Sequence, residues 1–167
     1  MWNKQTICKI ACFLLLITCY FALQSCEEDK DKPVKMLKIF EQSTPFIVAK
    51  DSSSIISLPH GVTEKYAICN SKDDLCKNIP QELEAYYSTA YNVDFDKYSI
   101  IVCIFRIYYP LIKVDTQIIV SGENNYDFVR NLMVKDTTEE KAFNVFYYVV
   151  TEKIQSDSQI KGLQSIA

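Results

Sequence analysis

Tyr98-Ser99-Ile100-Ile101-Val102-Cys103-Ile104-Phe105-Arg106-Ile107-Tyr108 is the stretch that decides the fold. β-Branched and aromatic residues dominate it, and such side chains fit a pleated, half-buried surface. Residues 100–105 are apolar without a break. A strand with one face in water alternates polar and apolar side chains, whereas an unbroken run marks a strand covered on both faces. A central position in a sheet is therefore expected. Three more β-rich runs follow at residues 112–120, 126–134 and 143–151. Tyr109-Pro110, Ser121-Gly122-Glu123-Asn124-Asn125 and the polar residues 136–141 separate them. Runs at this spacing, with turn chemistry between them, predict an antiparallel meander.

Upstream the signals are shorter. Residues 34–42 read as a strand or a short helical turn, and 46–49 and 54–58 as brief β-like runs split by polar residues. Pro59-His60-Gly61 is turn material. Residues 65–70 read as a strand. Ser71 can then cap a helix, with Asp74 three residues on, and Leu75 and Ile79 are spaced to share one face. Pro80 suits the first position of a second short helical segment over 80–87. The expected fold class is α+β and mostly β: an antiparallel meander sheet, with one or two short helices between an early strand and the main sheet. One β-rich domain is expected over 34–154, and a polar, loosely ordered tail over 155–167.

The first 33 residues speak of location. Lys4 and Lys9 precede an apolar run over residues 10–23, and Leu23-Gln24-Ser25-Cys26 closes it. The run is 14 residues long, short of the roughly 20 that a spanning helix needs, and within the range of a secretory signal. Leu23-Gln24-Ser25-Cys26 resembles the lipobox of bacterial lipoproteins. That resemblance implies a signal peptide over 1–25, cleavage between Ser25 and Cys26, and diacylglycerol joined to Cys26 by a thioether. The alternatives are an ordinary secretion signal and a short uncleaved anchor. Glu27-Glu28-Asp29-Lys30-Asp31-Lys32-Pro33 reads as a solvated tether over 26–33. Its Ser-Cys-Glu-Glu-Asp-Lys opening resembles small lipoproteins of the Bacteroidota. There an acidic patch after the lipidated cysteine goes with export to the outer face of the outer membrane. A plain hydrophilic spacer is the other reading, so the expected location is the outer membrane, periplasmic or surface-exposed.

The leader holds Lys4, Lys9 and no acidic residue, so of the chain's 18 basic and 21 acidic residues 16 and 21 remain, a net charge of −5. That disfavours nucleic acid, which rewards clustered Lys and Arg. With only Gly61, Gly122 and Gly162, the chain has no nucleotide-cradling glycine loop. His60 is the single histidine, so any Ser-His-Asp or Cys-His site would have to use it, and no histidine-rich metal site can be built within one chain. Asp94 with Asp96, and Asp136 with Glu139 and Glu140, read as solvated loop charge rather than a calcium site. No catalytic set, metal or cofactor is expected.

Export would place Cys69, Cys76 and Cys103 in a disulfide-permissive compartment. Cys69 ends a strand and Cys76 lies on the next helix, a return that could bring their α-carbons into bridging range. A Cys69–Cys103 bridge, or three free thiols with Cys103 as a small buried hydrophobe, are the alternatives. The pairs Tyr86-Tyr87, Tyr108-Tyr109 and Tyr147-Tyr148 offer a binding surface. Strand neighbours point to opposite faces, so one of each pair is expected in the core and one in solvent. Exposed tyrosines at 108, 109, 147 and 148 would suit a protein or glycan partner.

Val93-Asp94-Phe95-Asp96-Lys97-Tyr98, leading into the apolar strand, resembles a phrase in these small lipoproteins. It is also similar to one in the carboxy-terminal domain of bacterial protease-complex accessory proteins, over residues 64–154. That domain's closing strand would be Phe146-Tyr147-Tyr148-Val149-Val150, followed by Lys153. The chain departs from the pattern where Arg106-Ile107-Tyr108-Tyr109-Pro110 replaces a glycine-rich stretch, so a surface carried by those glycines does not transfer. The resemblance implies a lipid-anchored, non-catalytic envelope module with a protein partner: an inhibitor or accessory subunit of an extracytoplasmic protease. The alternative is a structural or assembly lipoprotein of an outer-membrane surface complex. The anchor is testable at one atom. Cys26→Ala should abolish incorporation of labelled palmitate and leave the precursor uncut; a variant that fractionates like the wild type would refute lipidation.

Overall fold

The structure is a computed structural model and describes residues 34–49, 55–137 and 141–166; Ser25, Cys26 and the tether lie outside them. The order is β1 (Met36–Leu37), β2 (Ile39–Gln42), β3 (Phe46–Ala49), β4 (Glu64–Cys69), α1 (Lys72–Asn78), two 3-10 turns (Gln81–Leu83 and Ser88–Asn92), β5 (Tyr98–Ile107), β6 (Leu111–Gly122), β7 (Asn125–Val134), β8 (Phe143–Glu152) and β9 (Gln159–Ile166). The chain is thus α+β and mostly β, with two sheets that are antiparallel except at one edge pair.

β5 lies between β4 and β8 in a five-stranded sheet of order β2-β8-β5-β4, with β3 also paired to β8. Its ladder with β8 runs unbroken from Tyr98↔Glu152 to Ile107↔Phe143. The two faces of this sheet feed two separate cores. Ile100, Val102 and Ile104, with Phe146, Tyr148 and Val150, pack against Leu75, Ile79, Leu83, Tyr87 and Ala90 of the helical layer. Ile101, Cys103, Phe105 and Ile107, with Val145, Tyr147 and Val149, pack against Val114, Ile118, Phe128 and Leu132 of β6 and β7. The unbroken apolar run is therefore explained by two covered faces. β6 and β7 are buried at alternate positions instead, because their sheet has one face in water.

The four late runs form the expected strands, but they divide between two sheets. Both edges of β5 are taken by β4 and β8, so β6 has no place beside it. The chain turns at Tyr108-Tyr109-Pro110 and starts a four-stranded sheet of order β1-β6-β7-β9. β6 and β7 meet in a hairpin whose turn residue Asn124 takes φ +58°, a conformation Asn tolerates. Ser71 caps α1, its Oγ accepting from the Asp74 N–H at 3.1 Å, and Leu75 and Ile79 are both buried. The Asp74 carboxylate accepts from the Asn70 N–H at 3.3 Å, one residue before the cap. A separate side-chain hydrogen bond from Ser71 to the carboxylate, followed by that from the Asn70 N–H, holds the Asp74 carboxyl below its ordinary pKa.

Two expectations are corrected. Residues 55–58 are not a strand; Ile56 and Leu58 plug the helical-side core from an irregular segment, and the Ile56 carbonyl accepts from Asn144 Nδ2 at 2.8 Å. The polar tail is not loose. β9 pairs in parallel with β7 from Asn125↔Gln159 to Leu132↔Ile166, and residues from Lys35 onward form one compact unit. Composition hid this strand because an edge strand buries little: Ile160 reaches the core, while Lys161 is exposed. Removing residues 159–167 should lower the unfolding free energy by about 2–4 kcal/mol in a urea titration, through lost ladder bonds and uncovered core. An unchanged midpoint would show that β9 contributes nothing.

Candidate functional site

The anticipated tyrosine surface is only partly present. Tyr147 and Tyr148 do point to opposite faces, but both faces are covered, so both are buried. Their hydroxyls are used internally: Tyr147 meets Thr116 Oγ1 at 3.1 Å, and Tyr148 donates to Glu41 Oε1 at 2.9 Å. Tyr86 and Tyr87 follow the expected split, at 53% and 2% exposure. Tyr108 is exposed and Tyr109 half-buried. His60 sits exposed in its turn. Asp94 pairs with Lys97 at 2.7 Å and accepts from the Asp96 N–H at 3.1 Å, as loop charge does; Asp136 is exposed, and Glu139 and Glu140 lie outside the described residues.

Cys69, Cys76 and Cys103 are free thiols, so neither bridge is formed. Cys69 faces the helical-side core and Cys103 the inter-sheet core, which rules out a bond between them. Cys69 is buried while Cys76 is exposed on α1. Burial pushes the Cys69 and Cys103 thiols up to about 12, which suppresses the reactive thiolate.

A charged cluster lies inside the sandwich. Arg130 of β7 is only 2% exposed. The alternation of Tyr126, Phe128, Arg130 and Leu132 turns it inward among apolar neighbours, which is the signal by which it could have been found. Its Nη2 donates to the Glu64 carboxylate of β4, which also accepts from the Tyr66 hydroxyl at 3.0 Å. The guanidinium stands over Phe105 at 4.5 Å from the ring centre and near Tyr66 at 5.5 Å. Its Nη1 contacts Cys103 Sγ at 3.8 Å, and its Nε lacks a partner among the described residues. Burial opposes the Arg130 charge, yet its neighbours Cys103, Tyr66 and Glu64 outweigh it and raise the pKa. Burial is also the main reason that the Tyr66 and Tyr147 hydroxyls stay protonated well past their ordinary range.

This cluster sits where two sheet edges meet. β4 ends the five-stranded sheet and β9 ends the four-stranded one. Between them opens a cleft of about 490 Å³, walled by Glu64, Lys65, Tyr66 and Ile68 on one side and Ile160, Lys161 and Gly162 on the other. Gly162 has a steric reason: a Cβ there would collide with the Tyr66 hydroxyl and the Glu64 carboxylate. A second hollow of about 240 Å³ is lined by Glu64, Arg130, Arg106, Gln164, Tyr108 and Tyr109. It brings one anticipated tyrosine pair to the charged cluster.

Backbone alternation aims both edges outward. The Arg106 N–H donates to the Thr63 carbonyl at 2.8 Å, so Thr63 faces β5. In an antiparallel ladder the direction alternates, which turns the N–H and C=O groups of Glu64, Tyr66 and Ile68 away from β5. The Gln159 N–H donates to the Asn124 carbonyl at 2.8 Å, toward β7, so Ile160, Gly162 and Gln164 present their backbone groups outward from β9. Neither β4 nor β9 has a second strand partner among the described residues. The arrangement can bind through main-chain hydrogen bonds.

The ion pair makes a sharp thermodynamic prediction. Glu64→Ala strands a buried cation and should cost about 2–4 kcal/mol in urea unfolding, a little under the fully buried range because Glu64 is 34% exposed. Adding Arg130→Met should restore most of that loss. A double variant no more stable than Glu64→Ala alone would show that Arg130 is held by its ring contacts rather than by Glu64.

No family model matches the chain, and neither a curated protein nor a solved structure does; what the cleft can do is read from its own walls.

Proposed function

We propose that this chain is a lipid-anchored, non-catalytic binding module of the bacterial cell envelope, acting as an inhibitor or accessory subunit of an extracytoplasmic protease. The observation that carries the binding reading is the pair of open strand edges, β4 and β9, facing one cleft. An exposed edge offers main-chain donors and acceptors to an extended polypeptide, which is the form a protease also binds. The anchor is supported by Leu23-Gln24-Ser25-Cys26 after a short apolar run, and by the acidic tether that follows. Acyl chains on Cys26 contribute about 0.8 kcal/mol per buried methylene, and two or more hold a protein stably at a membrane. The net charge of −5 after removal of the leader supports a protein partner over nucleic acid.

Cross-linked capture from envelope extracts, with the full chain as bait, tests this. The expected result is recovery of a protease whose peptide hydrolysis falls as purified chain is added. Recovery of outer-membrane assembly proteins alone would favour a structural role and overturn the inhibitor. Steady turnover of ester, peptide or glycoside substrates by the chain itself would overturn the non-catalytic reading.

A further inference from the structure

We infer that the partner protein seats an arginine side chain in a pocket between β2 and the helical layer. The inference rests on the binding-module reading above and names the group that the module grips. The pocket has a volume of about 260 Å³ and is walled by Glu41, Ser43 and Thr44 on one side and Tyr86 and Thr89 on the other, with Tyr148 beside them. It lies at the opposite end of the five-stranded sheet from β4. Glu41 is the one charged side chain on its wall, and it has no ion-pair partner among the described residues.

Hydrogen-bond direction selects the ligand. A tyrosine hydroxyl carries a single hydrogen. Tyr148 gives its hydrogen to Glu41 Oε1 at 2.9 Å, so its 2.8 Å contact with Thr89 Oγ1 is a bond donated by Thr89. The bonds therefore run from Thr89 to Tyr148 to Glu41. Both hydroxyl hydrogens are committed within that chain. The exposed groups at its two ends, the Glu41 carboxylate and the lone pairs of Thr89, can only accept. An anion is repelled there, and a sugar hydroxyl finds no donor in the chain to match its own lone pairs. A guanidinium carries five donors and no acceptor, and its planar fork matches a carboxylate.

The same planarity suits Tyr86. That ring is 53% exposed and braced by edge-on contacts with Phe46 at 5.6 Å and Tyr87 at 4.7 Å. Tyr87 is itself fixed, its hydroxyl donating to the Thr44 and Phe146 carbonyls, each at 3.0 Å. A guanidinium stacks on such a ring while it bonds a carboxylate, which a compact ammonium does less well. The net charge of −5 without the leader also favours a cationic ligand.

The test uses the full chain in detergent micelles and short glycine peptides with arginine, citrulline or lysine at the centre, titrated by saturation-transfer NMR. The arginine probe should bind. The citrulline probe keeps the shape without the charge and should bind about five- to tenfold more weakly. The lysine probe should be weaker by about two- to fivefold, since it lacks the flat fork. Glu41→Gln keeps an acceptor for Tyr148 and should weaken the arginine probe as much as citrulline does. Tyr86→Leu should weaken it by about two- to fivefold. If Tyr86→Leu alters the melting curve, Glu41→Gln decides alone. Equal binding of the citrulline or lysine probe, indifference to Glu41→Gln, or displacement of the arginine probe by maltose would each overturn the proposal. If the arginine probe does not bind while the chain still captures a protease from envelope extracts, this inference falls and the envelope-binding reading stands.

Discussion

The ladder between β5 and β8 is the constraint on which the structure depends, because it is buried on both sides. A strand pair with no face in water needs apolar side chains at nearly every position, and it must satisfy each polar group internally. The exceptions follow that rule. Ser99 Oγ accepts from the Ile154 N–H at 2.9 Å, Thr151 Oγ1 donates to the Lys38 carbonyl at 2.9 Å, and Asn144 donates to the Ile56 carbonyl. Each bond fastens a flanking segment to the central sheet. The buried polar residues are thus the points where irregular chain is pinned, and the two cores are closed by the segments so held.

This two-sided burial explains how much of the fold was legible. The central strand could be read from residues 100–105 because three-layer packing removes alternation, and that loss is visible in one dimension. Strand boundaries, the Ser71 cap and the Leu75–Ile79 face were legible because they obey local rules. Partition of the late strands between two sheets was not, since it depends on β4 occupying the edge that β6 would have used. β9 escaped notice for a related reason. A parallel edge strand with one shallow face needs few apolar residues, so residues 159–166 look like any polar tail.

The candidate site was less legible still. The expectation that Tyr147 and Tyr148 make external contacts presumes a wet face on their strand, and β8 is covered on both sides. Tyr108 escaped that fate by lying past the end of the ladder. Arg130 carried a local signal, a cation on the apolar side of an alternating strand, but its partner Glu64 is 66 positions away. Only the meeting of two sheet edges reveals that pairing. The cleft therefore belongs to the topology, and residue chemistry alone could not have announced it.

The parallel seam of β7 and β9 has a consequence for biogenesis. Antiparallel hairpins such as β6–β7 can zip as soon as both arms are out, whereas β9 must wait for all of β8 and the turn beyond it. A chain emerging amino end first would hold its smaller sheet unfinished until residues 159–166 had followed. During that interval Phe128 and its neighbours would be shielded on one flank only. A chain at that stage would be at its most adhesive.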